Sequence, residues 1–400
     1  MKYRILQSLS NSNYRLFFIG QTISFTGNFI QMATLPWLVY RLTNSAMLLG
    51  LIGFLSQIFI LLLSPFAGAV ADHFDRKKLI LFTQSSLMLL SFILAIITMI
   101  GKIQIWQIFI LAVLMGIINS FDMPTRQSFV ADMVGKKDLM NAIGLNALVL
   151  NGARMLGPAI AGILISAYGE GFCFLVNAVS YLAVLIAIVL VTPLWQNVDY
   201  IDETLAQKVF SGIDYILNSK KILMVIILLA VTGFTTGFLM ILMPVFVKDI
   251  YHLNASGFGI FMASMGLGSL LGGITLASKK DISDIRKIIF YSAMAFGLLI
   301  IFFALTRIFG FAIFLLALIG YISFLQMGCT NTFIQHETTN EMRGRVMSFF
   351  VMAFMGFAPV GSLIGGFLTE KIGAAFTLAL AGIFSFICAL ILWKKEIKYD

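Results

Sequence analysis

Residues 115–121 read Met-Gly-Ile-Ile-Asn-Ser-Phe, and residues 327–333 read Met-Gly-Cys-Thr-Asn-Thr-Phe. Each copy stands near the end of a long apolar run, the fourth and the tenth along the chain, so the two mark halves built on one plan. The correspondence continues downstream. Gly157-Pro158-x-x-Ala161-Gly162 in the fifth run is echoed by Ala358-Pro359-x-x-Ser362-x-x-Gly365-Gly366 in the eleventh, and Gly68 and Gly272 open the basic loops after the second and eighth. Six segments followed by six more in the same orientation form a parallel internal repeat, which in membranes accompanies two helical bundles with a site near the bilayer midplane between them.

Composition demands a membrane. The 400 residues are 60% hydrophobic and 11% charged, against about 45–50% and about 25% in soluble domains. A mean hydropathy of +0.98 would leave far more apolar surface in water than soluble monomers carry. A helix needs about 20 apolar residues to cross the hydrocarbon, so twelve crossings take roughly 240 to 290 residues and leave room for short loops. The net charge of +9 comes without a basic face or a binding motif, so nucleic acid is not an expected partner. Cys173, Cys329 and Cys388 lie inside apolar runs and read as small hydrophobes rather than a disulfide framework. Lys2, Arg4 and Arg15 precede the first long run without a small-residue cleavage site, so no cleaved signal peptide is expected.

The apolar runs predict spans at 16–40, 47–71, 79–100, 105–124, 141–168 and 172–192, then at 222–248, 256–277, 287–306, 310–333, 345–370 and 374–393. Alternating ten-residue segments are absent, which excludes a β-barrel. The expected fold is therefore all-α, twelve transmembrane helices in two six-helix bundles: residues 1–192, a cytoplasmic linker 193–221, and residues 222–400. Loops rich in Lys and Arg stay cytoplasmic. The tails and even-numbered loops hold Lys2, Arg4, Arg15, Arg76, Lys77, Lys78, Arg126, Lys136, Lys137, Lys208, Lys220, Lys221, Lys279, Lys280, Arg286, Lys287, Arg343, Arg345, Lys394, Lys395 and Lys398. The other side has only Arg41, Lys102, Lys248, Arg307 and Lys371, and Arg154 lies within a span. Both termini are predicted to be cytoplasmic.

The loop after the second span reads Gly68-Ala69-Val70-Ala71-Asp72-His73-Phe74-Asp75-Arg76-Lys77-Lys78 and resembles the loop signature of the major facilitator superfamily. Leu35-Pro36-Trp37-Leu38-Val39-Tyr40-Arg41-Leu42-Thr43-x-Ser45, Phe121-Asp122-Met123-Pro124-x-Arg126-Gln127-Ser128-Phe129-Val130 and Asn141-Ala142-Ile143-x-Leu145-Asn146 are similar to the bacterial enterobactin-exporter and macrolide-efflux branch. The resemblance covers essentially the whole chain. It implies secondary active export of a small molecule, usually in exchange for protons, from the bacterial cytoplasmic (inner) membrane, by a monomer without a cofactor or metal. Two features depart from the pattern. His73 stands where the family often has Arg and Asp75 where the superfamily has Gly, and the Arg that many proton antiporters carry early in span four is replaced by Ile108, Phe109, Ile110, Leu111 and Ala112.

Within the resemblance Asp72, with Arg76 and Lys77, takes the role of a charge lock that biases a two-state equilibrium by a few kcal/mol; the plainer reading is a topogenic basic loop. Asp122, Arg126, Glu341, Arg343 and Arg345 occupy the loops expected after spans four and ten, as a second charged cluster or as solvated loop charges. Arg154 is deep in the fifth span, where an unanswered charge costs at least ~2.5–3.5 kcal/mol. It reads as a cavity cation for an anionic substrate, or as a structural partner of Asn119 or Asn151. No carboxylate lies as deep, so a proton carrier would be Asp122, Asp72 or another span-end acid.

Gln21, Ser24, Asn28 and Gln31 follow one stripe of the first span and are expected to line a substrate cavity, with Asn119, Thr235, Gln326 and Asn331 as further lining. Interhelical hydrogen bonding is the alternative use of such residues. The 38 Phe and 21 Met suit a wall for a bulky amphiphile. Gly152, Gly157, Pro158 and Gly162 predict close helix packing and a kink, and within the superfamily they resemble the antiporter signature.

Rival classes have little support. His73, His252 and His336 show no metal or nucleophile spacing, which argues against an enzyme. No phosphate-binding loop is present for ATP-driven transport, and nothing resembles a selectivity filter. A secondary exporter of a siderophore or macrolide-like amphiphile, with protons as counter-ion, is the expectation. An uncoupled or importing transporter, or a membrane sensor, is the alternative.

Overall fold

The computed structural model describes residues 7–191, 205–278, 284–339 and 341–396, with the backbone alone at 61, 64, 65, 67–73, 131, 136, 137, 140, 151, 155 and 205–209. The described residues are helical almost throughout. The first half comprises α1 (Ser12–Thr43), α2 (Ala46–His73) and α3 (Arg76–Met99), followed by one helix from Ile105 to Tyr168 and by α6 (Glu170–Leu190). The Ile105–Tyr168 helix has two arms, α4 (Ile105–Gly135) and α5 (Asn141–Tyr168), separated near Gly135. Gly135 has φ 67° and ψ 175°, a conformation that a side chain would oppose, so the glycine makes the hinge possible.

The second half comprises α7 (Leu205–Asn218), α8 (Lys220–Ile250), α9 (Ala255–Ser278), α10 (Ile285–Leu305), α11 (Phe309–Glu337), α12 (Arg343–Ile372) and α13 (Ala374–Glu396). The stretch 193–221, expected as a plain connection, thus contains a helix in its described part. Ten of these elements, α3 to α6 and α8 to α13, are long and apolar enough to cross a membrane. Helix α1 has the length, with 32 residues, but its stripe of Gln, Ser, Thr and Asn lowers its hydropathy. In α2 the described apolar portion is Ala46–Ile60.

The repeat read from the sequence has structural counterparts. Gly169 (φ 82°) and Gly373 (φ 81°) turn the corner from the fifth to the sixth long helix of each half. A base at the start of the third long helix holds the end of the sixth in both. Lys77 Nζ donates to the carbonyls of Val189 (3.0 Å) and Val191 (2.7 Å), where a cation answers the exposed carbonyls of a helix C-terminus. In the second half Arg286 pairs with Glu396.

The chain forms two compact units, Met1–Leu42 with Leu55–Tyr200, and Thr43–Phe54 with Ile201–Asp400. The first turns of α2 belong to the second unit because of glycine packing. A Cβ on Gly50 would lie 3.1 Å from Gly366 Cα on α12, and one on Gly366 would lie 2.9 Å from Gly50 Cα. In lipid no hydrophobic force drives helix against helix, so close backbone approach through small residues supplies the van der Waals contact.

In the first unit a Cβ on Gly20 of α1 would stand 2.9 Å from Val184 Cα on α6. In the second unit Gly268 and Gly272 of α9 face α11: a Cβ on Gly268 would stand 2.9 Å from Tyr321 N, and one on Gly320 of α11 would stand 3.1 Å from Ser269 N. Replacing Gly268 or Gly320 by Val is therefore expected to destabilise the second unit by about 1–3 kcal/mol through overpacking, read as a lower melting temperature in detergent. Gly310→Ala, in open space, is expected to leave it unchanged.

Candidate functional site

The polar stripe of α1 is buried in the first unit because Gly20 and Gly27 bring α1 against α6. Gln31 Oε1 accepts from Asn177 Nδ2 at 2.8 Å, and Gln31 Nε2 donates to Met115 Sδ at 3.2 Å. Tyr181 Oη donates to Asn28 Oδ1 at 2.6 Å, while Asn177 Nδ2 also lies 3.4 Å from Ser91 Oγ. Helices α1, α3, α4 and α6 thus share one polar core. Asn177 and Tyr181 were not singled out from the sequence, although an Asn one helical turn before a Tyr in an apolar run was the available signal. Gln21 Oε1 and Ser24 Oγ, on the same stripe, are buried with no hydrogen-bond partner among the described residues.

Asp122 and Arg126 are not loop residues. The fourth span was expected to end at Pro124, but α4 continues to Gly135, so both lie within the helix. The charges do not end it because they answer each other across one turn. Arg126 Nη2 lies 2.5 Å from Asp122 Oδ2, and the Asp122 side chain has no solvent exposure. Asp122 Oδ1 accepts from Thr83 Oγ1 and Gln84 Nε2 of α3, each at 2.7 Å. The guanidinium lies 5.0 Å from the centroid of Phe25 on α1, a cation–π contact strengthened where water is excluded. Arg126 Nη1 and Gln84 Oε1 have no hydrogen-bond partner among the described residues.

Phe29, one turn beyond Phe25 on α1, holds the second arginine. Arg154 of α5 sits over its ring at 5.8 Å and makes no ion pair among the described residues. The structural alternative to a cavity cation paired it with Asn119 or Asn151. Asn119 is half-buried and makes no hydrogen bond to it, and the Asn151 side chain lies outside the described residues. The approach of α5 to α1 is set by Gly157, where a Cβ would stand 2.5 Å from Phe29 Cβ. Pro158 and Gly162 are buried. Gly152 departs from the packing expectation, since no described atom lies within 4 Å of where its Cβ would be.

In the basic loop the Asp72 side chain lies outside the described residues. Arg76 Nη1 pairs with Asp132 Oδ1 of α4 at 2.8 Å, both largely buried. Asp132 was also missed, because the helix carrying it was expected to have ended already. Lys77 caps α6 as described above.

In the second unit Gln326 Nε2 donates to Thr232 Oγ1 at 2.9 Å, Thr235 is buried against the Ala381 carbonyl at 3.5 Å, and Asn331 Oδ1 accepts from Gln335 Nε2 on its own helix at 2.5 Å. Glu341 and Arg343 are exposed without an ion pair among the described residues, whereas Arg345 donates to Ser211 of α7. These three acids and bases are therefore not one cluster. Among the described residues no group of three His, Cys, Asp or Glu is arranged for a metal.

Residues 5–399 match the family model of transmembrane secretion effectors. Among curated proteins, the staphyloferrin A transporter of Staphylococcus aureus is 30% identical over 382 residues, 94% of each chain. Macrolide efflux protein A of Streptococcus pyogenes is 21% identical over 93% of each chain. The crystal structure of the nucleoside transporter NupG superposes with a TM-score of 0.76 at 13% identity, covering 96% of this chain and 98% of that one, a likeness of fold alone.

Because Asp122 is buried, Arg126→Leu is expected to cost about 3–5 kcal/mol by leaving the carboxylate unpaired. Asp122→Asn combined with Arg126→Leu is expected to recover most of that loss, and denaturation of the single and double variants in detergent measures the coupling.

Proposed function

The chain belongs to the transmembrane secretion effectors of the major facilitator superfamily, and on that premise we propose that it exports a small amphiphilic molecule of siderophore or macrolide type in exchange for protons. It works as a monomer in the bacterial cytoplasmic membrane with both termini inside, an orientation supported by the distribution of Lys and Arg over the loops. Transport alternates between two access states, and Asp72 with Arg76 and Lys77 biases that equilibrium.

The observation that carries proton exchange is Asp122, a carboxylate without solvent exposure whose charge is balanced by one arginine of its own helix. Protonation cancels the ion pair and leaves the Arg126 charge to Phe25 and the neighbouring dipoles. A change of that size within a bundle is enough to move a two-state equilibrium. The unsatisfied Gln21 Oε1 and Ser24 Oγ offer hydrogen-bonding groups to a polar part of the substrate, and Arg154 offers a cation to an acidic or metal-chelating part.

One observation favours a second reading, export without proton coupling. Arg154 lies over Phe29 and makes no ion pair among the described residues, so the charge it would bind is an anion. A membrane potential negative inside drives an anion outward by about 2.3 kcal/mol per charge per 100 mV.

Everted membrane vesicles separate the two. Proton efflux from the lumen on adding enterobactin, staphyloferrin A or a macrolide is expected for the wild type and lost in Asp122→Asn, while Arg154→Ala weakens uptake of the anionic compounds more than of the macrolide. Saturable uptake without proton movement, driven by potential alone, would establish the second reading.

A further inference from the structure

Helix α7 ends one residue before α8 begins at Lys220. Its inner side is fixed by the second unit. Gly212 and Ile216 are buried, Ser211 Oγ accepts from Arg345 of α12, and a Cβ on Gly212 would stand 2.9 Å from the Phe349 ring. The Tyr215 hydroxyl accepts from the backbone N–H of Thr339 at 3.4 Å.

The opposite side is apolar too. Phe210, Ile213 and Leu217 fall at i, i+3 and i+7 and form one stripe, with exposures of 69%, 36% and 59%. Helical geometry sets the centre of this stripe roughly half a turn from that of the inner face formed by Ser211, Gly212, Tyr215 and Ile216. A helix with one face on protein and the other in water would be polar on the second. Asp214 and Asn218, both exposed, lie along only one edge of the stripe.

Position identifies the occupant. The first residues of a spanning helix lie at the headgroup level, and α8 opens with Lys220 and Lys221, the basic pair expected beside anionic lipid on the cytoplasmic side. A helix joined to that point by a single residue is held at the same depth.

We propose that α7 is an interfacial helix lying in the cytoplasmic headgroup layer, with Phe210, Ile213 and Leu217 directed into the acyl boundary of anionic lipid. Through Ser211 and Gly212 it ties the start of α12 to the membrane surface. The inference needs the membrane and the orientation of the chain, and it is independent of substrate and coupling ion.

Spin labels on Ile213→Cys, Leu217→Cys and Asn218→Cys, in nanodiscs containing anionic lipid, test it through collisions with oxygen, which partitions into lipid, and with a water-soluble nickel chelate. The parent chain treated with the same label supplies the background from Cys173, Cys329 and Cys388. High oxygen and low nickel access at 213 and 217, with the reverse at 218, is the expected result. Nickel access at 213 and 217 equal to that at 218 would place the stripe in water and overturn the proposal. Low access to both reagents would place protein over the stripe and overturn it equally.

Discussion

Hydrocarbon offers no water to a charged side chain, so each charge inside a span is answered by the protein. In this chain that constraint organises the first unit. Helix α1 passes between two arginines and presents Phe25 to Arg126 and Phe29 to Arg154. Arg126 is further balanced by Asp122, which Thr83 and Gln84 hold from α3. The glycines that let α1 approach its neighbours, Gly20, Gly27 and Gly157, therefore set both the packing and the electrostatics of the polar core.

The halves use one plan for different ends. Each turns a corner on a left-handed glycine, and each holds its last helix with a base at the head of its third. The buried interior is asymmetric. Among the described residues the first unit has Asp122 with Arg126, Arg154 over Phe29 and the Asn28–Gln31–Asn177–Tyr181 network, whereas in the second Thr232 and Gln326 form a small neutral pair and a buried carboxylate, Glu396, stands at the end of the last helix beside Arg286.

The fold was legible in the sequence because hydropathy, loop charge and the repeat at 115–121 and 327–333 all report the same constraint, that lipid must see apolar side chains. Helix ends were less legible. Asp122 and Pro124 look like the close of a span, yet the helix runs on to Gly135, since an ion pair across one turn removes the reason to stop. That one error hid the burial of Asp122 and Arg126 and the Arg76–Asp132 pair. The α1 stripe could be read from its spacing, but Asn177 and Tyr181 could not be joined to it, because their partners lie about 150 positions away and only packing shows them. Arg154 stood out as a charge in a span, while its neighbour, one phenylalanine among 38, carried no distinguishing signal.

The central claim is that Asp122 exchanges its proton when substrate binds. It is tested most directly by adding staphyloferrin A, enterobactin or a macrolide to the purified protein in weakly buffered detergent solution and following a pH indicator. The account predicts a change in the number of bound protons that saturates with binding of the ligand, and its loss in Asp122→Asn with binding retained. Saturable binding to the wild type with no change in proton count across the pH range would contradict it.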